Sequence, residues 1–309
     1  MTAERRTAVV LARTGSSYRV HTGEREVTAV LKGRLKLDPE QRIVAGDVVE
    51  LEFQPDGGAV IAALRPRRSL LARREVGSRR AQPIAANLDQ VVVVAAARDP
   101  EPNPRQLDRF LVIAEANGLP AALVVNKVDL DRAPVATLER RYRPAGYQVL
   151  ATSVRTEEGL AALRDLLRGR ATVFTGPSGV GKSSLLNALH PGLGLRTAAI
   201  SAKWRQGRHT TTAAQLVPLN GGYVVDTPGM REVGAWGLDP NALGACFPEF
   251  RRYLDRCRFA DCRHLAEPDC AVRRAAEAGE VDPDRLASYR RIYEEINLPA
   301  WSSGRRRGS

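Results

Sequence analysis

Short runs of alternating hydrophobic and polar residues fill the N-terminal part of this 309-residue chain. Val49, Leu51 and Phe53 alternate with Glu50 and Glu52, which is the period of a strand with one buried face. Similar runs cover residues 7–11, 18–21, 27–31, 48–53 and 60–64. Five short strands in a small domain predict an OB-like β-barrel, a frequent oligonucleotide binder, with an SH3-like barrel as the alternative.

Longer apolar runs that alternate with helical patterns follow the predicted barrel. Residues 88–97 predict an apolar strand, and apolar residues then recur at helical spacing over residues 107–114 and again over 157–167. Strands that alternate with helices predict an α/β domain with a mostly parallel sheet. We expect three domains of ordinary size, which cover residues 1–66, 67–238 and 239–309.

A glycine-rich loop with a lysine and a serine follows the apolar run 171–174. Small residues let successive backbone N–H groups point inward and bind phosphates. The lysine, Lys182, then places a charge on the β- and γ-phosphates, and the Ser183 hydroxyl ligates Mg²⁺. A helix predicted over residues 183–189 directs its N-terminus at the anion. The residues expected to contact nucleotide here are Gly176, Pro177, Ser178, Gly179, Val180, Gly181, Lys182, Ser183 and Ser184.

The base is predicted from a second motif, Asn126, Lys127, Val128 and Asp129, which follows the apolar run 121–125. The Asp129 carboxylate accepts hydrogen bonds from both N1–H and the exocyclic amine of guanine, whereas adenine presents an acceptor at N1. A downstream loop with Ser153 and Val154 matches the second guanine loop. Together the two loops predict a guanine-specific site.

The order of these motifs is permuted. An ordinary Ras-like GTPase presents its phosphate loop first, but here the guanine motif precedes it. A threonine cluster at residues 210–212 and then Asp226-Thr227-Pro228-Gly229 follow. We expect Thr211 to ligate Mg²⁺, with Thr210 and Thr212 as alternatives one residue away, and Asp226 and Gly229 to contact the nucleotide. The chain is therefore predicted to be a circularly permuted GTPase, whose last switch leads directly into the C-terminal region and lets hydrolysis set the pose of that region.

Three cysteines and a histidine, spaced C-x4-C-x-H-x5-C, predict a metal site. Three thiolates and an imidazole form a closed tetrahedral set, the pattern of a structural zinc ion. Disulfide bonds are the alternative, but the N-terminus lacks the apolar stretch of a secretory signal. A cytoplasmic location keeps thiols reduced and favours metal. The expected ligands are Cys257, Cys262, His264 and Cys270, with Cys246 a separate buried residue.

The charge of the chain indicates a nucleic-acid partner. Its formal net charge is +12 and its isoelectric point is near 10.1, with seven arginines within residues 64–80. Such a run is often only a solvated linker, but the C-terminal region is arginine-rich as well. Aromatic residues make up only 5% of the chain, so recognition of phosphates and of the shape of folded RNA is favoured over base stacking. No membrane partner is expected.

With these motifs in place, the chain resembles the ribosome small-subunit-dependent GTPase A family along nearly its full length. The permuted order, residues 207–212, Asp226 to Gly229 and the Cys/His spacing carry the resemblance. It implies an OB-fold, a circularly permuted P-loop GTPase domain and a mainly helical zinc-binding domain. It also implies a cytoplasmic GTP phosphohydrolase that acts in late maturation of the small (30S) ribosomal subunit and its rRNA, with hydrolysis stimulated by the subunit.

The group that orients the attacking water is predicted from its position in the sequence. Met230 stands where Ras-like enzymes place the glutamine that orients the attacking water. His209, next to the switch threonines, is the nearest candidate in sequence, with support of the loop as its alternative role. Lys182 and Thr211 complete the expected catalytic set. Two other functions stay open: a permuted GTPase that serves a different RNA–protein particle, and a nucleotide-gated RNA-binding module with little turnover. We expect a monomer.

Overall fold

A computed structural model describes residues 5–33, 42–55, 57–74, 81–190, 214–219, 221–226 and 238–297, excluding the side chains of residues 73, 74, 81, 82 and 226. The strands are β1 (Arg5–Thr14), β2 (Ser17–His21), β3 (Glu26–Leu31), β4 (Val48–Phe53), β5 (Ala59–Leu64), β6 (Leu70–Arg74), β7 (Ala81–Ala86), β8 (Gln90–Ala96), β9 (Ala121–Asn126), β10 (Gln148–Ala151), β11 (Ala171–Thr175), β12 (Gln215–Leu219) and β13 (Gly222–Asp226). The α-helices are α1 (Pro104–Ala116), α2 (Ala133–Tyr142), α3 (Leu160–Leu167), α4 (Lys182–Leu189), α5 (Ala271–Glu277) and α6 (Pro283–Asn297), and 3₁₀ helices cover Pro240–Cys246 and Pro248–Arg256.

The first five strands close into a barrel in the order β1-β2-β3-β5-β4. β3 and β5 pair in parallel, and the other neighbours are antiparallel. The inward-facing side chains of Val20, Leu51 and Ile61 are completely buried, because alternate residues of a strand point to opposite faces. The OB-like prediction is confirmed, and each of the five predicted runs lies within one of these strands.

The basic segment that follows the barrel is more than a solvated linker. It contains β6 and β7, which form a two-stranded ribbon. Arg67 is turned inward, and its guanidinium donates to both carboxylate oxygens of the fully buried Asp47 at 2.7 and 2.8 Å. Arg68 donates to Asp89, at the start of the next domain, at 3.0 Å. These two arginines therefore hold the junction between the barrel and the domain that follows.

That next unit, the α/β domain, is built on a six-stranded sheet in the order β10-β9-β8-β11-β13-β12. All neighbours are parallel except the edge pair of β12 and β13. Val91, Val92, Val93 and Val94 of the central β8 are all fully buried, as expected for a parallel strand that is covered on both faces. The predicted α/β domain with a mostly parallel sheet is confirmed.

The C-terminal domain is helical and packs around an aromatic core. The rings of Phe247 and Phe250 stack with centroids 5.0 Å apart, and Tyr289 of α6 meets both edge-on at 5.4 Å. These three side chains are almost completely buried. Within the described ranges of the chain, no helix is both long enough and apolar enough to cross a membrane.

A close backbone approach at Gly46 joins the barrel to the α/β domain. Gly46 has a φ of +88°, and an added Cβ atom would lie 2.0 Å from the carbonyl oxygen of Ala86. The side chain of Asn87 donates to the carbonyl of Gly46 at 2.9 Å. Ala45 and Leu71 belong to the same hydrophobic cluster as residues of the central sheet. The two domains therefore share one packed core.

We expect Gly46→Ala to destabilise this junction more than a matched substitution at Gly23. Both positions have positive φ, but nothing lies within 4 Å of a Cβ atom at Gly23. The left-handed conformation alone costs about 1–2 kcal/mol, and the steric overlap at Gly46 adds about 1–3 kcal/mol. Thermal unfolding of both variants measures the difference, and equal losses would show that the approach at Gly46 is not tight.

Candidate nucleotide site and metal centre

The carboxyl ends of parallel strands bring the predicted nucleotide residues to one edge of the sheet. The guanine motif begins at the end of β9, the loop with Ser153 follows β10, and the glycine-rich loop follows β11. β13, which ends at Asp226, lies next to β11 in the sheet. Because these strands run parallel, their loops lie side by side, which is where ligands bind in open α/β sheets.

The glycine-rich loop leaves the sheet at Gly176, directly after the fully buried strand β11. The φ of Gly176 is +138°, and an added Cβ atom would lie 2.1 Å from the carbonyl oxygen of Val94 on the neighbouring strand. Only glycine fits this turn, because it must pass close to another backbone. Ser178 and Gly179 are exposed at the tip of the loop, with Pro177 and Ser184 half-buried.

Lys182 begins α4 and is 93% buried, with 7% of its surface exposed. Its ammonium group donates to the carbonyl of Gly176 at 2.8 Å and also to that of Pro177. The side chain therefore lies back across the glycine-rich loop. Ser183, the next residue, is buried at the same helix N-terminus. This arrangement puts a cation and a hydroxyl at the place where a phosphate bound to the loop would lie.

A buried hydrogen bond joins the guanine motif to the glycine-rich loop. The Asn126 side-chain amide donates to the carbonyl of Val180 at 2.9 Å, and the Thr152 hydroxyl donates to the Asn126 side-chain oxygen at 3.3 Å. Gly181 has a φ of +90°, and an added Cβ atom would lie 2.4 Å from the amide nitrogen of Asn126. Residues that lie 54 positions apart in the chain are thus fixed to each other.

Asp129 is held by two side chains from the loop after β10. Its Oδ1 atom accepts from the Ser153 hydroxyl at 2.5 Å, and Oδ2 accepts from Nε of Arg155 at 2.7 Å. The bond from Ser153, followed by that from Arg155, lowers the pKa of Asp129 below its ordinary value. The carboxylate is therefore ionised at neutral pH, as recognition of two N–H donors requires. Ser153 was predicted from the sequence, but Arg155 was not.

The other residues of the guanine motif support the same geometry. Lys127 adopts a left-handed backbone conformation with φ +63°, and its ammonium donates to the carbonyl of Asp99, on the loop after β8. Val128 is buried, and its backbone N–H donates to the carbonyl of Thr152 at 3.2 Å. Val154 is half-buried beside Ser153. The sequence did not predict the contact between Lys127 and Asp99, because the residues that follow β8 carry no recognisable motif.

Several predicted residues lie outside the part of the chain that the structure describes. They are His209, Thr211 and Gly229, and only the backbone of Asp226 is described. Among the described residues, Ser183 is the expected Mg²⁺ ligand, and its buried hydroxyl beside the glycine-rich loop suits an oxygen-preferring ion. The roles of His209, Thr211, Asp226 and Gly229 stay predictions.

The four predicted metal ligands of the C-terminal domain come together. The ligand atoms of Cys257, Cys262, His264 and Cys270 all lie within 4.8 Å of one another. The Cys257 and Cys270 sulfurs are 4.0 Å apart, and Nδ1 of His264 lies 3.6 and 3.4 Å from them. A tetrahedral zinc with Zn–S bonds of about 2.3 Å has ligand–ligand edges of about 3.8 Å. The cluster can therefore hold a metal ion of that size.

Free thiols line this cluster. All four cysteines of the chain are unbonded, and a disulfide would need sulfurs about 2.05 Å apart. Burial raises the pKa of Cys262 to about 12 and also raises the pKa of Cys270, while burial lowers the pKa of His264. A bound cation reverses the cost of burying thiolates, so the donor set favours a metal over free thiols. Cys246 lies apart, buried, with its thiol donating to the Ala242 carbonyl at 3.5 Å.

Comparison with known protein families identifies the family to which the nucleotide site belongs. A model for the family described as RsgA GTPase matches residues 64–236, more than half of the chain, including the guanine motif and the glycine-rich loop. The chain belongs to the RsgA GTPase family. The resemblance that the sequence predicted is therefore confirmed.

Full-length relatives agree with this membership. The small ribosomal subunit biogenesis GTPase RsgA of Gemmatimonas aurantiaca is 52% identical over 299 residues, 94% of this chain and 97% of the relative. The protein of the same name from Moorella thermoacetica is 41% identical over 288 residues, 93% of this chain and 96% of the relative. The RsgA GTPase likeness thus includes the barrel and the C-terminal domain.

Two solved structures share the architecture. The crystal structure of YjeQ from Thermotoga maritima matches with a TM-score of 0.80 and 35% identity, over 98% of this chain and 100% of that one. YloQ, described as a circularly permuted GTPase, matches with a TM-score of 0.77 and 29% identity, over 96% of this chain and 97% of that one. The permuted arrangement of this RsgA GTPase is therefore confirmed at the level of the fold.

The base preference is expected to change in Asp129→Asn. The amide cannot accept from both N–H donors of guanine, so affinity for GTP should fall about a hundredfold or more. Xanthosine triphosphate, whose C2 oxygen replaces the amine, should bind instead. Fluorescence titration with both nucleotides measures this, with Asp131→Asn as the control because, among the described residues, Asp131 accepts only from the Ala133 N–H at 2.9 Å. Unchanged GTP affinity in Asp129→Asn would contradict the guanine assignment.

Metal and the C-terminal fold are expected to be lost together. Replacing Cys270 with alanine should remove one bound ion per chain and expose the C-terminal domain to proteolysis, because metal binding and folding are coupled. The α/β domain should still bind nucleotide. Cys246→Ala is the matched control and should keep the ion. Metal analysis by mass spectrometry provides the count, and a folded, metal-free Cys270→Ala variant would exclude a structural metal.

Proposed function

We propose that the protein is a GTP phosphohydrolase that binds the small (30S) ribosomal subunit and acts in its late maturation, with hydrolysis stimulated by the subunit. The observation that carries the proposal is the single sheet edge where base and phosphate motifs meet, joined by the 2.9 Å bond from Asn126 to Val180. Relatives named as GTPases of small-subunit biogenesis align along more than nine-tenths of the chain, which supports this partner.

Guanine specificity rests on Asp129 in this proposal. The carboxylate receives guanine N1–H and the exocyclic amine, while Ser153 and Arg155 keep it ionised and oriented. Adenine would set its N1 lone pair against this charge and leave the carboxylate unpaired. Asn126 couples the same site to the phosphate loop, so that base and phosphates are read by one rigid unit.

The phosphates are proposed to lie on the backbone N–H groups of Gly176 and residues 178–181, since Pro177 has no N–H group to donate. Lys182 would exchange the loop carbonyls that it now binds for the β- and γ-phosphate oxygens. Ser183 and Thr211 are the proposed Mg²⁺ ligands, and Asp226 and Gly229 the proposed contacts of the second switch. The ion, when bound, neutralises the charge that develops on the phosphates.

The attacking water needs a positioning group other than the usual glutamine, because Met230 has no suitable donor or acceptor. We propose His209 for this role. The nearby Lys203, Arg205 and Arg208 are basic, which suits contact with RNA phosphate. Binding of the subunit would then bring His209 into place and explain the stimulation.

The flanking domains supply the RNA contacts in this proposal. A net charge of +12 and an OB-like barrel are typical of proteins that bind RNA through its phosphates and shape.

We propose a monomer that acts in the cytoplasm, with domains over residues 1–66, 67–238 and 239–309. The Cys/His cluster is proposed to hold one structural zinc ion, because three thiolates and an imidazole are a preferred zinc set.

Single-turnover hydrolysis with and without 30S subunits tests the proposal. The wild-type protein should hydrolyse GTP slowly alone and much faster with subunits. His209→Ala should keep GTP and subunit binding, but its rate of GTP hydrolysis with subunits should fall about a hundredfold. His190→Ala, an exposed histidine at the end of α4, is the control.

Each outcome separates the candidate functions. Stimulation by other RNA–protein particles but not by 30S would favour a different partner. Absence of turnover under all conditions would favour a nucleotide-gated RNA-binding module. Full stimulation of His209→Ala would assign the water to another group while leaving the GTPase assignment intact.

A further inference from the structure

The C-terminal domain packs against α1 and α2 of the α/β domain, and one buried arginine lies at the centre of this contact. Arg285 of α6 is completely buried. Its guanidinium donates to Oδ1 of Asp108 on α1 at 2.8 Å and to Oε1 of Glu249 in the second 3₁₀ helix at 2.7 Å. Arg285 therefore binds one carboxylate from each of the two domains.

The partner in the α/β domain is as tightly enclosed. Asp108 is completely buried, and it also accepts from Nη2 of Arg141 and from the hydroxyl of Tyr142, each at 2.8 Å. Burial by itself raises the pKa of Asp108, but the nearby charges of Arg285 and Arg141 outweigh this and lower the pKa below its ordinary value. The carboxylate is ionised and has donors on several sides.

Aromatic and apolar contacts surround these charges. The Arg285 guanidinium lies 4.6 Å from the ring centroid of Phe247 in the C-terminal domain and 5.6 Å from that of Tyr142 in the α/β domain. Val112 of α1 is fully buried within the hydrophobic core of the C-terminal domain. Further ion pairs at the rim join Arg251 to Glu115, Arg109 to Glu295, and Arg141 to Asp284.

A network of this kind restricts sliding more than it adds net stability. Two charges removed from water recover little free energy beyond their desolvation cost, but a buried charge that loses its partner is strongly destabilising. A shift of a few ångströms along α1 would break the bond between Arg285 and Asp108 and leave each group buried with fewer partners, Arg285 with Glu249 alone and Asp108 with Arg141 and Tyr142. The contact therefore has one register, and small rocking motions of the C-terminal domain are disfavoured.

We propose that Arg285 fixes the C-terminal domain to α1 and α2, so that the two domains move as one body through the nucleotide cycle. The sequence suggested the opposite, because the second switch leads directly into this domain. The contacts with α1 and α2 come from a part of the α/β domain other than the switches, and α2 begins just after the loop that holds Asp129. The C-terminal domain thus keeps a constant position relative to the base-binding loops.

Hydrogen exchange in the full-length, metal-loaded protein tests this. The wild-type protein is compared in complex with GDP and with a non-hydrolysable GTP analogue. The proposal predicts the same exchange rates in α1 and α6 in both states. Slower or faster exchange of α6 in one nucleotide state would overturn it, because the domain contact would then respond to the nucleotide.

A substitution identifies the contact responsible. Asp108→Asn keeps the shape and the acceptor for Tyr142 but removes the charge that binds Arg285, while the pair of Arg285 and Glu249 inside the C-terminal domain remains. Exchange in both α1 and α6 should rise about tenfold or more, with no change in α4 or in nucleotide affinity. Asp165→Asn, which removes an exposed ion pair with Arg168, is the control and should change nothing in α1 or α6.

A second variant covers the case in which Asp108→Asn fails to fold. Replacing Arg285 with methionine and Glu249 with leucine together removes both charges on the C-terminal side, an exchange that buried pairs often tolerate. This variant should fold and keep its metal, yet exchange faster than wild type in α6. If either folded variant retains wild-type exchange in α6, Arg285 does not fix the domain and the proposal is wrong.

Discussion

The nucleotide site depends on the hydrogen bond from the Asn126 amide to the carbonyl of Val180, which ties the guanine motif to the phosphate loop across the intervening strand β8. The bond exists because β9 and β11 run parallel on either side of β8 and end at the same edge. The order in which the chain visits these strands does not affect that edge. A permuted chain can therefore build the same site as an ordinary one, and the family membership of this chain agrees with that view.

The sequence alone predicted those sites whose residues lie close together along the chain. The glycine-rich loop, the guanine motif, the barrel strands and the Cys/His cluster each occupy short segments, so their spacing could be interpreted directly. Contacts between distant segments could not be predicted. Arg285 and Asp108 are 177 positions apart, and each looks like an ordinary helical surface residue. Arg155 likewise gains its role only because two loops meet over Asp129.

The basic residues of the chain have two different roles in the structure. Arg67, Arg141 and Arg285 are largely buried and bound to the carboxylates of Asp47 and Asp108. Arg67 and Arg285 join domains and Arg141 joins α2 to α1, and with Glu249 as the second partner of Arg285 these three charges are balanced inside the protein. The net charge of +12 is therefore carried by other residues of the chain, and a net positive charge favours association with RNA. A count of arginines alone overstates the surface that such a partner would meet.

A crystal structure of the protein with GDP and Mg²⁺ would show directly whether one sheet edge binds base and phosphates together. We expect guanine N1–H and its amine within hydrogen-bond distance of the Asp129 carboxylate, the β-phosphate on the N–H groups of Gly176 and residues 178–181, and an unchanged bond from Asn126 to Val180. A guanine base bound away from Asp129, or an Asn126 side chain turned away from the loop, would contradict it.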